Sequence, residues 1–281
     1  MKIGFLGYGE AARAFHAGLG CPALAHDILL DADSGAMRAA MRTRGATPVA
    51  LAGLAEADWI FSAVTADRSL LALTPLLPFL RPGQLLIDIN SVSPERKRQT
   101  AGAVEARGAA YLDMAVMAPV HPRGHATPVL LAGPTADALL PQLLALGFEA
   151  RVVGAEPGAA TAIKMVRSLF VKGLEAITVE TLLAAAASGC FDEIHASLSA
   201  SFPGLDWPRF APYQLERTTR HGTRRAAEMR ESAATLDALG LRGDLAREIA
   251  AVQQRMGAVG HLPEGPLEEI VAAVLAQRRR R

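Results

Sequence analysis

Ile3-Gly4-Phe5-Leu6-Gly7-Tyr8-Gly9-Glu10-Ala11-Ala12 is the stretch on which the fold of this chain turns. A short apolar run leads directly into a G-x-G-x-x-A loop, and Ala11–Leu19 continues as a helix-forming segment. Gly7 allows the tight turn, Gly9 lets a phosphate approach the backbone, and Ala12 is small enough for the helix to pack on the strand. The start of that helix offers unpaired N–H groups and the positive end of a dipole. Gly7, Tyr8, Gly9, Glu10, Ala11 and Ala12 are therefore expected to cradle a dinucleotide pyrophosphate. A second apolar run, Asp27–Leu30, ends at Asp31, an acid placed to bind ribose hydroxyls and repel a 2′-phosphate. Ala32, Asp33 and Ser34 follow with no basic residue, so NAD is the expected cofactor and NADP the alternative. Capping of the next helix is the competing reading of Asp31, with Asp33 a rival for the same role.

Outward from this loop, the first half of the chain alternates strand and helix patterns. Further apolar runs at Asp58–Val64, Gln84–Ile89 and Val129–Ala132 are separated by helical stretches such as Ser34–Arg44 and Pro94–Arg107. Strands alternating with amphipathic helices predict an α/β, doubly wound parallel sheet of Rossmann type. After Arg151-Val152-Val153 comes a turn-rich joint, Gly154 to Gly158, and beyond it only helical patterns. The expected division is a dinucleotide-binding domain over residues 1–155 and an all-helical substrate and dimerisation domain over 156–281. Ala159–Ala187 is apolar around its whole circumference, which requires burial in a core or against a second copy of the chain. A homodimer is expected on that ground.

A formal net charge of +1 excludes a dedicated nucleic-acid binder, which needs a strong basic excess. The most apolar long stretch, Leu70 to Ile89, is interrupted by Pro75, Pro78, Arg81, Pro82 and Asp88, so no membrane span is expected. Two cysteines, Cys21 and Cys190, make no disulfide framework and no metal site, and no leader pattern precedes the first strand. These features predict a cytoplasmic protein with a small-molecule substrate.

Lysine usage is the strongest chemical signal outside the glycine loop. Of 29 basic residues, only Lys2, Lys97, Lys164 and Lys172 are lysine, and two of these lie in the most apolar helix. Arginine does not deprotonate in a protein, whereas a lysine in an apolar pocket can be tuned to exchange a proton. At helical spacing Lys164, Ser168, Lys172 and Glu175 share roughly an 80° arc. Lys164 is the candidate general acid and base, and Ser168 and Lys172 are candidates to hold an acidic substrate. Snorkelling to solvent is the competing reading for both lysines, and an i,i+3 pair with Lys172 is the competing role of Glu175. Val64 and Thr65 end a strand where a cofactor ribose usually lies, and Ser91 and Ser93 follow the next strand, in reach of a nicotinamide. Capping of the helix that begins at Pro94 is the alternative for Ser93. His121, Arg123 and His125, and the arginines between Glu216 and Glu231, are further candidates for an acidic substrate, or else ordinary surface residues.

Four segments, in order, resemble the β-hydroxyacid dehydrogenase family, which includes 6-phosphogluconate and 3-hydroxyisobutyrate dehydrogenases. They are the glycine loop, Asp88-Ile89-Asn90-Ser91-Val92-Ser93-Pro94, Asp113-Met114-Ala115-Val116-Met117-Ala118-Pro119, and Gly158 to Lys164 followed by Ser168. The resemblance implies an NAD(P)-dependent oxidoreductase acting on a small β-hydroxy acid or related carbonyl. It implies Lys164 as the catalytic lysine, Ser91 beside the nicotinamide, and Val116, Met117 and Ser168 at the substrate. The third segment lacks the family's Ser-Gly-Gly, replaced by Met117-Ala118-Pro119. Ala160 and Ser168 likewise stand where the family has glycine and an amide. Two alternatives follow: an imine reductase on the same scaffold, which would not need Lys164, and a dinucleotide sensor without catalysis.

Overall fold

A computed structural model describes residues 1–32, 34–260 and 262–279. The chain forms two compact units, Met1–Met165 and Val166–Arg281.

In the first unit β1 (Ile3–Leu6) leads through the glycine loop to α1 (Glu10–Leu19), and β2 (Ala23–His26) through a 3-10 turn to α2 (Gly35–Arg42) and β3 (Ala46–Pro48). After β4 (Trp59–Ser62) comes the short α3 (Ser69–Leu73), and after β5 (Leu85–Asp88) comes α4 (Pro94–Glu105). β6 (Ala110–Val116), β7 (Val129–Ala132), α5 (Ala136–Ala145) and β8 (Ala150–Gly154) complete the sheet. Its eight strands run in the order β3-β2-β1-β4-β5-β6-β7-β8, all neighbours parallel except β6 and β7. This is the doubly wound Rossmann arrangement, in which ligands lie beyond the carboxyl ends of the strands where the order reverses, between β1 and β4.

Alternate residues of each strand feed the two faces, as a pleat of period two requires. Ile3, Phe5 and Phe61 join Phe15 and Phe148 on one side, while Leu6, Ile60 and Leu86 join Leu54, Leu73 and Leu76 on the other. Near-continuous apolar strands are what a sheet covered on both faces demands.

β3 is a strand that the apolar runs of the sequence did not mark, and two further strands differ from expectation. β2 ends at His26, not Leu30, because the Asp27 carboxylate accepts the Leu29 N–H and opens a 3-10 turn over Ile28–Leu30. Only Leu30 of that apolar run is buried; Ile28 and Leu29 face solvent. The other is β6, which absorbs Asp113 to Val116, the first part of the expected substrate loop.

In the second unit the helices are the rest of α6 (Ala159–Ser188), α7 (Phe191–Ser201), α8 (Trp207–Ala238), α9 (Asp244–Gly257) and α10 (Leu267–Arg279). The division falls inside α6 rather than at the joint before it. The first turn of that helix is tied to β6, since Asp113 accepts the Gly158 and Thr161 N–H groups at 3.0 and 3.1 Å. α8 and α9 approach so closely that a Cβ on Gly222 would lie 2.2 Å from the Gln253 carbonyl oxygen. Val179, Leu182, Leu215, Met256, Val271 and Val274 form one buried cluster of this unit, and Ala176, Ala226, Met229 and Ile249 another. No helix of the described residues is long and apolar enough to cross a membrane.

Candidate active site

Gly7 has a φ of +83°, and a Cβ there would lie 2.6 Å from Val64 Cγ1 and 2.7 Å from the Ala63 carbonyl oxygen. No side chain fits that turn. At Gly9 a Cβ would meet nothing within 4 Å, so the backbone faces open space where a phosphate can approach. Gly9 caps α1 with no side-chain hydrogen bond, which leaves the first-turn N–H groups to a ligand. Ala12 is fully buried against the sheet, as the third position requires. These features fit a dinucleotide pyrophosphate.

Tyr8, Glu10 and Ala11 complete the loop in different ways. Glu10 is exposed and Ala11 half-buried. Tyr8 turns inward: its hydroxyl meets His16 Nδ1 at 2.6 Å, and burial raises the phenol above its ordinary pKa. Its N–H donates to Asp27 Oδ2 at 2.8 Å across 19 residues of sequence. Asp27 therefore holds the strand-end place beside the glycine loop that the sequence pattern assigned to Asp31. Asp31 lies one 3-10 turn further, exposed, with Oδ2 3.9 Å from His26 Nε2. Spacing could have singled out Asp27, since the ribose acid of a dinucleotide fold follows the first glycine by about 20 residues. Asp33, the rival candidate, lies outside the described residues.

At the end of β4 the Val64 N–H donates to Asn90 Oδ1 at 2.7 Å, and Asn90 Nδ2 donates to Ser62 Oγ at 2.8 Å. Asn90 thus ties the loops after β4 and β5 together, a role the sequence reading did not give it. Thr65 is exposed, and its hydroxyl is the main influence holding the Asp67 carboxyl below the usual range. Beyond β5, Ser93 caps α4 by accepting the Arg96 N–H. The decisive contact joins segments 73 residues apart: Lys164 Nζ donates to Ser91 Oγ at 2.7 Å. Gly158, with a φ of +97°, makes this possible, because a Cβ there would strike the Pro94 carbonyl oxygen at 2.8 Å.

The substrate candidates divide. Val116 ends β6, and the Met117 N–H donates to the Pro128 carbonyl oxygen at 2.9 Å, so that amide is committed to the protein. Met117 packs against the buried cluster of Ala115, Leu130, Ala132 and Ala160, the last of these standing in place of the family's second glycine. Arg123 pairs with Glu149 at the surface, and His125 is packed over Gly18 and Gly147 with Nε2 3.0 Å from the Leu146 carbonyl oxygen. In the second unit Ser168 is buried, and Lys172 Nζ lies 2.9 Å from Glu228 Oε2. Lys172 therefore neither snorkels nor pairs with Glu175, which binds Arg225 Nη2 at 2.5 Å and Gln253 Nε2 at 2.9 Å. Helical spacing showed a shared face but not the residues packed opposite it.

Residues 25–140 match the NAD-binding domain of 6-phosphogluconate dehydrogenase, and residues 185–256 match a domain of unknown function, DUF1932. Among solved structures, a conserved hypothetical protein from Sinorhizobium meliloti 1021 is 34% identical over 100% of this chain and 96% of its own, with a TM-score of 0.74. A second conserved protein of unknown function, described as structurally similar to 3-hydroxyacid dehydrogenases, is 28% identical over 92% of this chain and 97% of its own (TM-score 0.69). Mycobacterium tuberculosis 3-hydroxyisobutyrate dehydrogenase shares the fold at 19% identity, covering 99% of each chain (TM-score 0.69), and imine reductases share it at 18% identity. Nothing among curated proteins matches. The first unit is an NAD(P)-binding Rossmann domain matching that of 6-phosphogluconate dehydrogenase, and the chain belongs to one family with the Sinorhizobium protein, which it matches over its whole length.

Proposed function

We propose that this protein is an NAD(P)-dependent dehydrogenase or reductase that interconverts a small acidic β-hydroxy acid and its carbonyl form. Lys164 serves as the acid and base. The observation that carries this reading is the 2.7 Å contact of Lys164 Nζ with Ser91 Oγ, which sets a proton-exchanging group at the carboxyl end of the sheet. When bound, the nicotinamide supplies or accepts the hydride. Lys164 takes the hydroxyl proton as the C–H bond transfers its electron pair, and returns a proton to the oxygen in the reverse direction. Ser91 accepts a hydrogen bond from Lys164 Nζ and fixes its position, and Lys164 takes the proton as the neutral amine. A positioned acid or base of this kind contributes about 10²–10⁴-fold.

Asp27 is the residue assigned to the adenosine ribose, and NAD is preferred to NADP because Asp27 and Asp31 together disfavour a 2′-phosphate. Fluorescence titration with both reduced cofactors checks this; tighter binding of NADPH would remove the assignment. Association is proposed through α6, where Val166, Phe170 and Ile177 are 53, 72 and 65% exposed on one face. A second copy of the chain covers that face. Light scattering should give a dimer that Phe170→Glu dissociates, and a monomer at micromolar concentration would exclude it.

The central test is a panel of small keto acids, aldehydes and cyclic imines with reduced cofactor. Lys164→Ala should lower turnover about 10²–10⁴-fold with dinucleotide affinity unchanged. Lys164→Arg should fail nearly as badly, because a guanidinium does not exchange the proton. Near-normal turnover in Lys164→Arg would move the acid–base role elsewhere. Reduction of imines that survives Lys164→Ala would favour the imine reductase reading, which the shared fold supports.

A further inference from the structure

Asp88 and Asp113 are register partners on the parallel strands β5 and β6, and both carboxylates are buried. Two like charges side by side in the interior repel strongly unless a cation lies between them. That cation is Lys97 of α4, whose side chain is fully buried. Its Nζ lies 3.0 Å from Asp88 Oδ1 and 3.4 Å from Asp113 Oδ1, and it donates to the Asp88 carbonyl oxygen at 2.6 Å.

Each carboxylate then holds one half of the candidate active site. Asp88 Oδ1 accepts the Asn90 N–H at 2.9 Å, and so shapes the turn that presents Ser91. Asp113 accepts the Gly158 and Thr161 N–H groups and, at 2.8 Å, the Thr161 hydroxyl. It thereby anchors the helix start that carries Lys164, where the dipole also favours a negative charge. Lys97 is the one group touching both carboxylates among the described contacts.

We propose that Lys97 is a positioning residue that, through Asp88 and Asp113, sets Ser91 and Lys164 at their working separation. This rests on the catalytic reading of Lys164 for its consequence in turnover, but the geometry is testable without a substrate. A misplacement of about 1 Å in such a pair costs up to about 10²-fold.

The experiment uses isotopically labelled lysine. With only Lys2, Lys97, Lys164 and Lys172 in the chain, the ammonium signals can be assigned by single substitutions. Ser91→Ala defines the resonance of Lys164 without the Ser91 contact. In Lys97→Met the Lys164 signal should move toward that position, while the Lys172 signal stays fixed by Glu228. Thr161→Val deletes one Asp113 contact at nearly constant volume and should move the Lys164 signal the same way by a smaller amount. Should Lys97→Met fail to melt cooperatively, Thr161→Val decides. A Lys164 signal unmoved in the folded variant would overturn the proposal. With an active substrate, kcat should fall at least about tenfold while the dinucleotide dissociation constant holds. If Lys164→Ala kept full turnover, the catalytic reading would fall, and the resonance result would still stand or fail alone.

Discussion

Lys97, Asp88 and Asp113 in the first unit are 0, 1 and 0% exposed, and Lys172, Glu175, Arg225 and Glu228 in the second are 5, 3, 6 and 8% exposed. Both groups keep charges out of water, yet their partners differ. The first cluster is bound into the backbone: it accepts the N–H groups of Asn90, Gly158 and Thr161, donates to the Asp88 carbonyl, and takes the Tyr111 hydroxyl at 2.9 Å. The second is made of side chains from α6, α8 and α9, and Arg225 Nε and Nη1 and Gln253 Oε1 have no hydrogen-bond partner among the described residues. Burial pushes the Glu175 carboxyl up, against the pull of Arg225, and pulls the Arg225 guanidinium down. A saturated cluster fixes geometry, whereas a partly satisfied one holds helices together at a desolvation cost.

The largest expected effect tests that contrast directly. Glu175→Leu strands the buried Arg225 charge and should cost about 3–5 kcal/mol in urea unfolding. Adding Arg225→Met with Gln253→Leu should recover most of it, because Gln253 Nε2 is the other group that Glu175 holds and neither partner is a backbone N–H. The corresponding apolar replacement in the first cluster, Lys97→Met with Asp113→Leu, should not recover, since the Gly158 and Thr161 N–H groups would be left buried and unpaired. Recovery in both clusters would erase the distinction drawn between them.

A smaller effect is expected at Lys172. Its partner Glu228 keeps a second cation, with Arg224 Nη1 2.6 Å from Oε1. Lys172→Met should therefore cost about 1–2 kcal/mol, less than Glu175→Leu. A loss as large as that of Glu175→Leu would show that Lys172 is the main support of the second cluster.

The smallest effect concerns the tyrosines of the first unit. Burial raises Tyr8, and burial with the Asp88 and Asp113 charges raises Tyr111 well above its ordinary value. A raised pKa means the unfolded chain releases these protons first. Their contribution is thus intact below the ordinary tyrosine value of about 10 and is lost as pH climbs toward the folded values. Absorbance titration should find Tyr8 and Tyr111 ionising only as the protein unfolds. Tyr8→Phe should soften the alkaline loss of stability, at a cost of about 1 kcal/mol near neutrality for the missing His16 contact. Ionisation of both phenols while the fold persists would count against the tight packing of this unit.

Much of the candidate site was legible in one dimension. The glycine loop needs Gly7, Gly9 and Ala12 for local reasons, namely a left-handed turn, open space above the backbone and close helix packing, and each left its mark on the sequence. Asp27 and Asp31 show where such reading stops. Ile28-Leu29-Leu30 is as apolar as a strand, and only pairing with β1 and β3 shows that β2 ends at His26. Lys172 is a parallel case: its face of α6 was evident from spacing, but Glu228 lies on another helix.

The sequence by itself determined the alternation of strands and helices in the first half, the glycine loop and the scarcity of lysine that singles out Lys164, because these depend on periodicity, local backbone demands and residue usage. Only the tertiary structure decided that Lys164 meets Ser91, that Asp27 touches the glycine loop and that Lys97 bridges Asp88 and Asp113. Each of those contacts joins residues on different elements. Which polar groups share a buried space depends on how strands pair and helices pack, not on their distance along the chain.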